Sequence, residues 1–122
     1  MAQTPAEENQ ALLRCQIEQG GDTFHLEARP VQNPYREPMH DINEHFRFKM
    51  VVVGSAKSVD YVKIYAYENP SRQPVLLQYA KYLKPAFAGG SDSAALTGIQ
   101  TVYSSGLERE MQYRCALYEH AP

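Results

Sequence analysis

The densest run of side chains able to hold a metal or move a proton is His40-Asp41-x-x-Glu44-His45. Imidazole nitrogens and carboxylate oxygens are common zinc donors, and a His/Asp pair can also act as acid and base. Spacing weakens the metal reading. Helical zinc motifs set two histidines four apart, so both reach one ion from one face. His40 and His45 are five apart, which splays them by roughly 140° on a helix and sends them to opposite faces of a strand. His40, Asp41 and His45 are therefore weak candidates, with His25 a further donor only if the fold brings it near. The plainer reading is a polar loop entering a strand, with no catalytic residue, metal or cofactor.

Serine chemistry has less support. Serines occur around Gly54-Ser55, Gly90-Ser91-Asp92-Ser93 and Ser104-Ser105-Gly106, but none sits in G-x-S-x-G or S-x-x-K. Lys57-Ser58 lacks the glycine spacing and following helix of a phosphate loop. Glu108 and Glu110 would share a strand face, as residues on solvated faces routinely do.

The two cysteines are more informative. Cys15 alternates with Leu13 and Ile17, and Cys115 with Met111, Tyr113 and Leu117, so both thiols are expected to point inward. If the first and last strands are neighbours, the pair can form a disulfide. Closing a loop of about 100 residues would contribute about 2–4 kcal/mol. The alternative is two reduced, buried thiols packing as small hydrophobes. A bridge implies an oxidising setting, periplasmic or secreted.

The chain holds nine tyrosines and no tryptophan. Tyr61, Tyr65 and Tyr67 fall opposite Val62 and Ile64, with Lys63 among them. Arg47 and Lys49 come from the outward side of the arm that would pair with them. Together these six residues could form a basic, aromatic interaction surface, a composition favoured at protein interfaces. The competing reading makes the same face the interior of a second sheet, or tyrosines that cover it with wet hydroxyls.

These side chains are positioned by strands. His45–Glu68 reads as two arms across a polar connection, with Phe46, Phe48, Met50 and Val52 sharing a face of the first arm and Val62, Ile64 and Ala66 sharing a face of the second. Ala11–Gln19 and Thr23–Arg29 form a hairpin over Gly20-Gly21-Asp22. Pro30, Pro34 and Pro38 make residues 30–41 a crossing loop, because proline removes ladder donors. Val75–Tyr82, Leu96–Tyr103 (with a bulge expected at Gly98) and Leu107–Glu119 complete the strands. Ala86–Ala95 is expected to be the most mobile interior segment.

The pattern predicts an all-β fold, an antiparallel β-sandwich of about seven strands, immunoglobulin-like in architecture, with a small β-barrel as the alternative. Tyr113-x-Cys115 resembles the tyrosine two residues before the second cysteine of immunoglobulin-type domains. The missing tryptophan and the wide cysteine spacing depart from that pattern. Residues 1–10 read as a disordered lead-in, like a mature N-terminus left after signal-peptide removal, and 11–120 as a single domain.

A net charge of −2 gives no electrostatic reason to expect nucleic acid. No apolar run reaches the roughly 18 residues of a membrane span. The functional expectation is a non-enzymatic periplasmic or secreted protein-interaction module, of the envelope-accessory or inhibitor-like kind, whose partner is another protein. The alternatives are a small-ligand carrier in a barrel cavity and an enzyme using the His/Asp cluster.

Overall fold

The computed structural model describes residues 10–70 and 73–120. The expected lead-in, residues 1–10, lies outside the described residues except for Gln10. Among the described residues eight strands form: β1 (Leu12–Gln19), β2 (Asp22–Ala28), β3 (His40–Ile42), β4 (Phe46–Gly54), β5 (Val59–Glu68), β6 (Val75–Leu83), β7 (Gln100–Ser104) and β8 (Arg109–Tyr118). They assemble into two antiparallel sheets, ordered β2-β1-β8-β7 and β3-β4-β5-β6. Each sheet keeps two terminal strands, so the expected sandwich is what forms. The barrel alternative is not realised.

Alternation decides which side of each strand is buried. Leu13, Cys15 and Ile17 of β1 meet Phe46, Phe48, Met50 and Val52 of β4, with Val62 and Ile64 of β5 and Met111, Tyr113 and Leu117 of β8, in one apolar cluster. The ring centroids of Phe48 and Tyr113, from opposite sheets, lie 5.0 Å apart. Shifting any of these strands by one residue would turn its buried side chains to water, so the hydrophobic pattern itself fixes the register. At the β4–β5 turn Gly54 approaches the Ser58 carbonyl so closely that a Cβ would collide with it.

Side-chain hydrogen bonds among the described residues join the sheets. The Tyr113 hydroxyl donates to Gln78 Oε1 at 2.7 Å, and Gln78 Nε2 donates in turn to Gln100 Oε1 at 3.3 Å. Ser104 Oγ, fully buried at the end of β7, donates to the Glu68 carboxylate at the end of β5 and accepts from Leu107 N–H. Asn43 Nδ2 donates to the backbone and side-chain oxygens of Gln19, each at 2.9 Å. Buried polar groups are tolerated where they are paired, and each pair here spans the gap between layers.

The disulfide forms. Cys15 and Cys115 are direct partners across β1 and β8, with Cα atoms 4.2 Å apart and both side chains fully buried. The Cys115 N–H donates to Thr97 Oγ1, and its carbonyl accepts from Leu96 and Thr97 N–H. Both backbone groups of Cys115 therefore turn away from β1, leaving the close, non-hydrogen-bonded pairing that brings opposed side chains together. The bridge lies within one sheet. The immunoglobulin pattern of a bridge between sheets does not apply.

Two expectations are corrected. The loop after Pro30 is not free of strand: once past Pro38 the chain pairs as β3 with β4, Asp41 opposite Arg47. Nearer its start Val31 bridges Val53, and Pro34–Arg36 takes one 3-10 turn. Leu96–Tyr103 is not one strand with a bulge at Gly98. Residues 93–97 form a turn, Gly98 takes a left-handed φ of 68°, and pairing begins only at Gln100. The neighbouring Ala86–Ala95 segment is tied to β8 through Ala88 N–H, which donates to the Leu117 carbonyl at 2.7 Å.

Candidate functional site

The outer face of the β3–β6 sheet carries the residues singled out for their basic, aromatic composition. Register sets them in rows across β4, β5 and β6: Arg47–Tyr67–Leu76, Lys49–Tyr65–Tyr79, Val51–Lys63–Lys81 and Val53–Tyr61–Leu83. None of these twelve positions is acidic. Asp41 borders the face on β3, opposite Arg47. Four of the chain's twelve Lys and Arg residues thus gather on one surface of a protein whose net charge is −2.

The rings and ammonium groups interleave. Lys49 Nζ stands 5.5 Å from the Tyr65 ring centroid. Lys63 and Lys81 Nζ stand 5.3 and 4.7 Å from that of Tyr61. Tyr65 stacks on Tyr67 at 6.2 Å and 12°, and meets Tyr79 at 5.0 Å. Contacts between cations and exposed rings are worth about 0.5–1 kcal/mol each. They hold long side chains flat, so the cations are displayed in an ordered array over the rings. Burial, then the neighbouring Tyr65, raises the Tyr67 pKa above its ordinary value.

This face is the outside of its sheet and not the interior of a second one. Tyr61, Tyr65, Tyr67, Arg47, Lys49 and Lys63 are all partly exposed, while the residues alternating with them fill the core. Val51, on the same outer side, is buried, and the 3-10 turn at Pro34–Arg36 packs against β4. Four contributors were not anticipated: Leu76, Tyr79, Lys81 and Leu83, all on β6. Their signal was present, since Tyr79-x-Lys81 repeats the spacing of Tyr61-x-Lys63. Only the pairing of β6 with β5 shows that the two repeats share a surface.

The His/Asp cluster does not converge. His40 and Asp41 lie on β3, and Glu44 and His45 lie in the turn to β4, where the Glu44 N–H donates to Asp41 Oδ2. Among the described residues no three His, Cys, Asp or Glu side chains gather to hold a metal ion. His25 is on β2, in the other sheet. Glu108 sits in the turn before β8, so it does not share a strand face with Glu110.

Among the open grooves on the outside of the sandwich, two lie beside β1. One, of about 500 Å3, is lined by Arg14, Gln16, His25, Ser91, Ser93 and Tyr118. Its guanidinium is already engaged, since Arg14 makes two hydrogen bonds to Glu27 at 2.8 and 3.0 Å. The other, of about 400 Å3, runs beside the β1–β2 turn and holds Glu18, Asp22 and Glu110.

No helix among the described residues is long and apolar enough to cross a membrane. The chain matches no known protein family, curated protein or solved structure.

Proposed function

We propose that this chain is a non-enzymatic protein-interaction module, and that it binds its partner through the outer face of β4, β5 and β6. The observation that carries this reading is the composition of that surface: tyrosines and cations interleaved over twelve positions without one carboxylate. Tyrosine and arginine are enriched in the hot spots of protein interfaces, tyrosine because it supplies large contact area with few rotatable bonds and arginine because its planar fork carries five donors. Clustered positive charge on a protein of negative net charge also orients an approaching partner, which raises the encounter rate. The disulfide supports an oxidising setting for this work, periplasmic or secreted.

The reading is tested by charge reversal. Lys49→Glu and Lys63→Glu combined should leave the melting temperature within a few degrees of wild type. The double variant should also lose whatever protein the wild-type chain retains from the extracytoplasmic fraction of its native organism. Equal retention by both chains would place binding elsewhere on the molecule and overturn the assignment.

A further inference from the structure

Strand β6 ends its sheet, and among the described residues no strand pairs with its outer edge. It spans nine residues, longer than the other terminal strands β2, β3 and β7. Proteins ordinarily blunt such an edge with short length, charge, proline or a covering loop. Strand β3 is short, and β2 presents Asp22, His25 and Glu27. Strand β6 has little of this protection. Val75, Leu76, Tyr79 and Leu83 are between 46 and 71 % exposed, Lys81 is the strand's one charged residue, and Pro74 and Pro85 bracket the strand without interrupting it.

A second observation concerns charge. Lys63 and Lys81 are direct cross-strand partners. Like charges directly opposite one another destabilise a sheet, and both ammonium groups share the single ring of Tyr61. Among the described residues no carboxylate forms an ion pair with either ammonium group. A strand added beside β6 would lie about 4.8 Å away and would set its outward side chains level with Tyr79, Lys81 and Leu83.

We infer that the partner supplies an extended acidic segment, which adds to the β6 edge as a fifth strand and directs carboxylates at alternate positions toward Lys81 and Lys63. This rests on the outer face being the binding surface, and it names the chemistry of what binds there. In this mode main-chain hydrogen bonds supply affinity and alternate side chains supply specificity. Pairing of β6 with β6 of a second copy would instead continue one positive face into another.

The test uses the full oxidised chain and a fluorescein-labelled nonapeptide of alternating threonine and glutamate, read by fluorescence anisotropy. Three controls accompany it: the threonine–lysine peptide, the threonine–glutamate peptide N-methylated at alternate backbone nitrogens, and the Lys63→Glu/Lys81→Glu variant. The acidic peptide should bind, and its binding should weaken about tenfold or more in each control. Hydrogen exchange should slow in β6 when the peptide is bound.

Equal binding by the unmodified and the N-methylated acidic peptides would overturn edge addition while leaving the outer face as the interaction surface. No binding of the acidic peptide, or tighter binding of a sulfated oligosaccharide or oligonucleotide, would overturn the acidic-segment assignment. Peptide-independent dimers in sedimentation that vanish in Tyr79→Lys would show that a second copy is the occupant.

Discussion

The hydroxyl of Tyr113, on β8, reaches across the sandwich and donates to the Oε1 of Gln78, on β6, at 2.7 Å. The contact joins the middle of one sheet to the terminal strand of the other, and the strand it secures is the one whose far edge is open.

Tyr113→Phe removes this donor and keeps the ring against Phe48. The loss should be about 0.5–1.5 kcal/mol, the usual net worth of one hydrogen bond. Urea unfolding of the two chains measures it, and an unchanged midpoint would show that Gln78 finds another donor.

The same hydroxyl gives a dependence on alkaline pH. Burial, then the nearby Tyr82, raises the Tyr113 pKa well above the ordinary tyrosine value of 10.0. The unfolded chain would release this proton near pH 10, whereas the folded chain keeps it. The resulting stability is fully present below pH 10 and is lost as pH rises above that value toward the folded pKa. Tyr113→Phe should flatten this decline, with the remainder coming from Tyr67 and Tyr82, whose pKa values burial also raises. Thermal melts of both chains between pH 8 and 11 would show it, and parallel curves would contradict it.

Replacing both Cys15 and Cys115 with alanine opens a loop with a sequence separation of 100. A cost of about 2–4 kcal/mol is expected. The far-ultraviolet spectrum of the folded fraction should be retained, because the β1–β8 ladder does not depend on sulfur. An oxidised chain whose denaturation midpoint ignores dithiothreitol would count against the bridge.

The two sides of the β3–β6 sheet should respond differently to truncation. Phe48→Ala empties a fully buried site against Tyr113 and should cost about 3–5 kcal/mol. Tyr65→Ala, on the outer side, should cost about 1 kcal/mol or less, from lost ring contacts. Comparable losses in calorimetry would mean that the tyrosine face is packed as core.

Glu44 holds a left-handed φ of 65° in the β3–β4 turn, a conformation that costs a glutamate about 1–2 kcal/mol. Its backbone groups bond to Asp41 and Asn69. Glu44→Asn should stabilise the chain by about 0.5–1 kcal/mol, because asparagine tolerates this region and the backbone bonds are untouched. A lower melting temperature would contradict this account of the turn.

Alternation made much of the architecture readable before any coordinates. Phe46, Phe48, Met50 and Val52 could be assigned inward, and Cys15 and Cys115 could be expected to meet, because period two is imposed by backbone geometry alone. The failures occurred where pairing is set by distant partners. Leu96 to Tyr103 is rich in β-branched residues, yet the Cys115 carbonyl captures the Leu96 and Thr97 N–H groups and Gly98 turns left-handed, so the strand starts late. Strand β3 has three residues, too few to show a period after three prolines. The tyrosine face was half legible, since its β5 members announce themselves locally. Its β6 members join only through the tertiary register, which local sequence does not encode.

The bridge between β1 and β8 also bears on how the molecule carries load. Leu12 and Tyr118 lie side by side, three residues outside the paired cysteines. A tug applied between Gln10 and Glu119 can peel only the few residues outside that covalent link before the two sulfur atoms take the tension. Everything between them, including the open β6 edge, is shielded from stretching. The domain can therefore sit in series within a tethered assembly and keep the outer face of β4, β5 and β6 in shape under force.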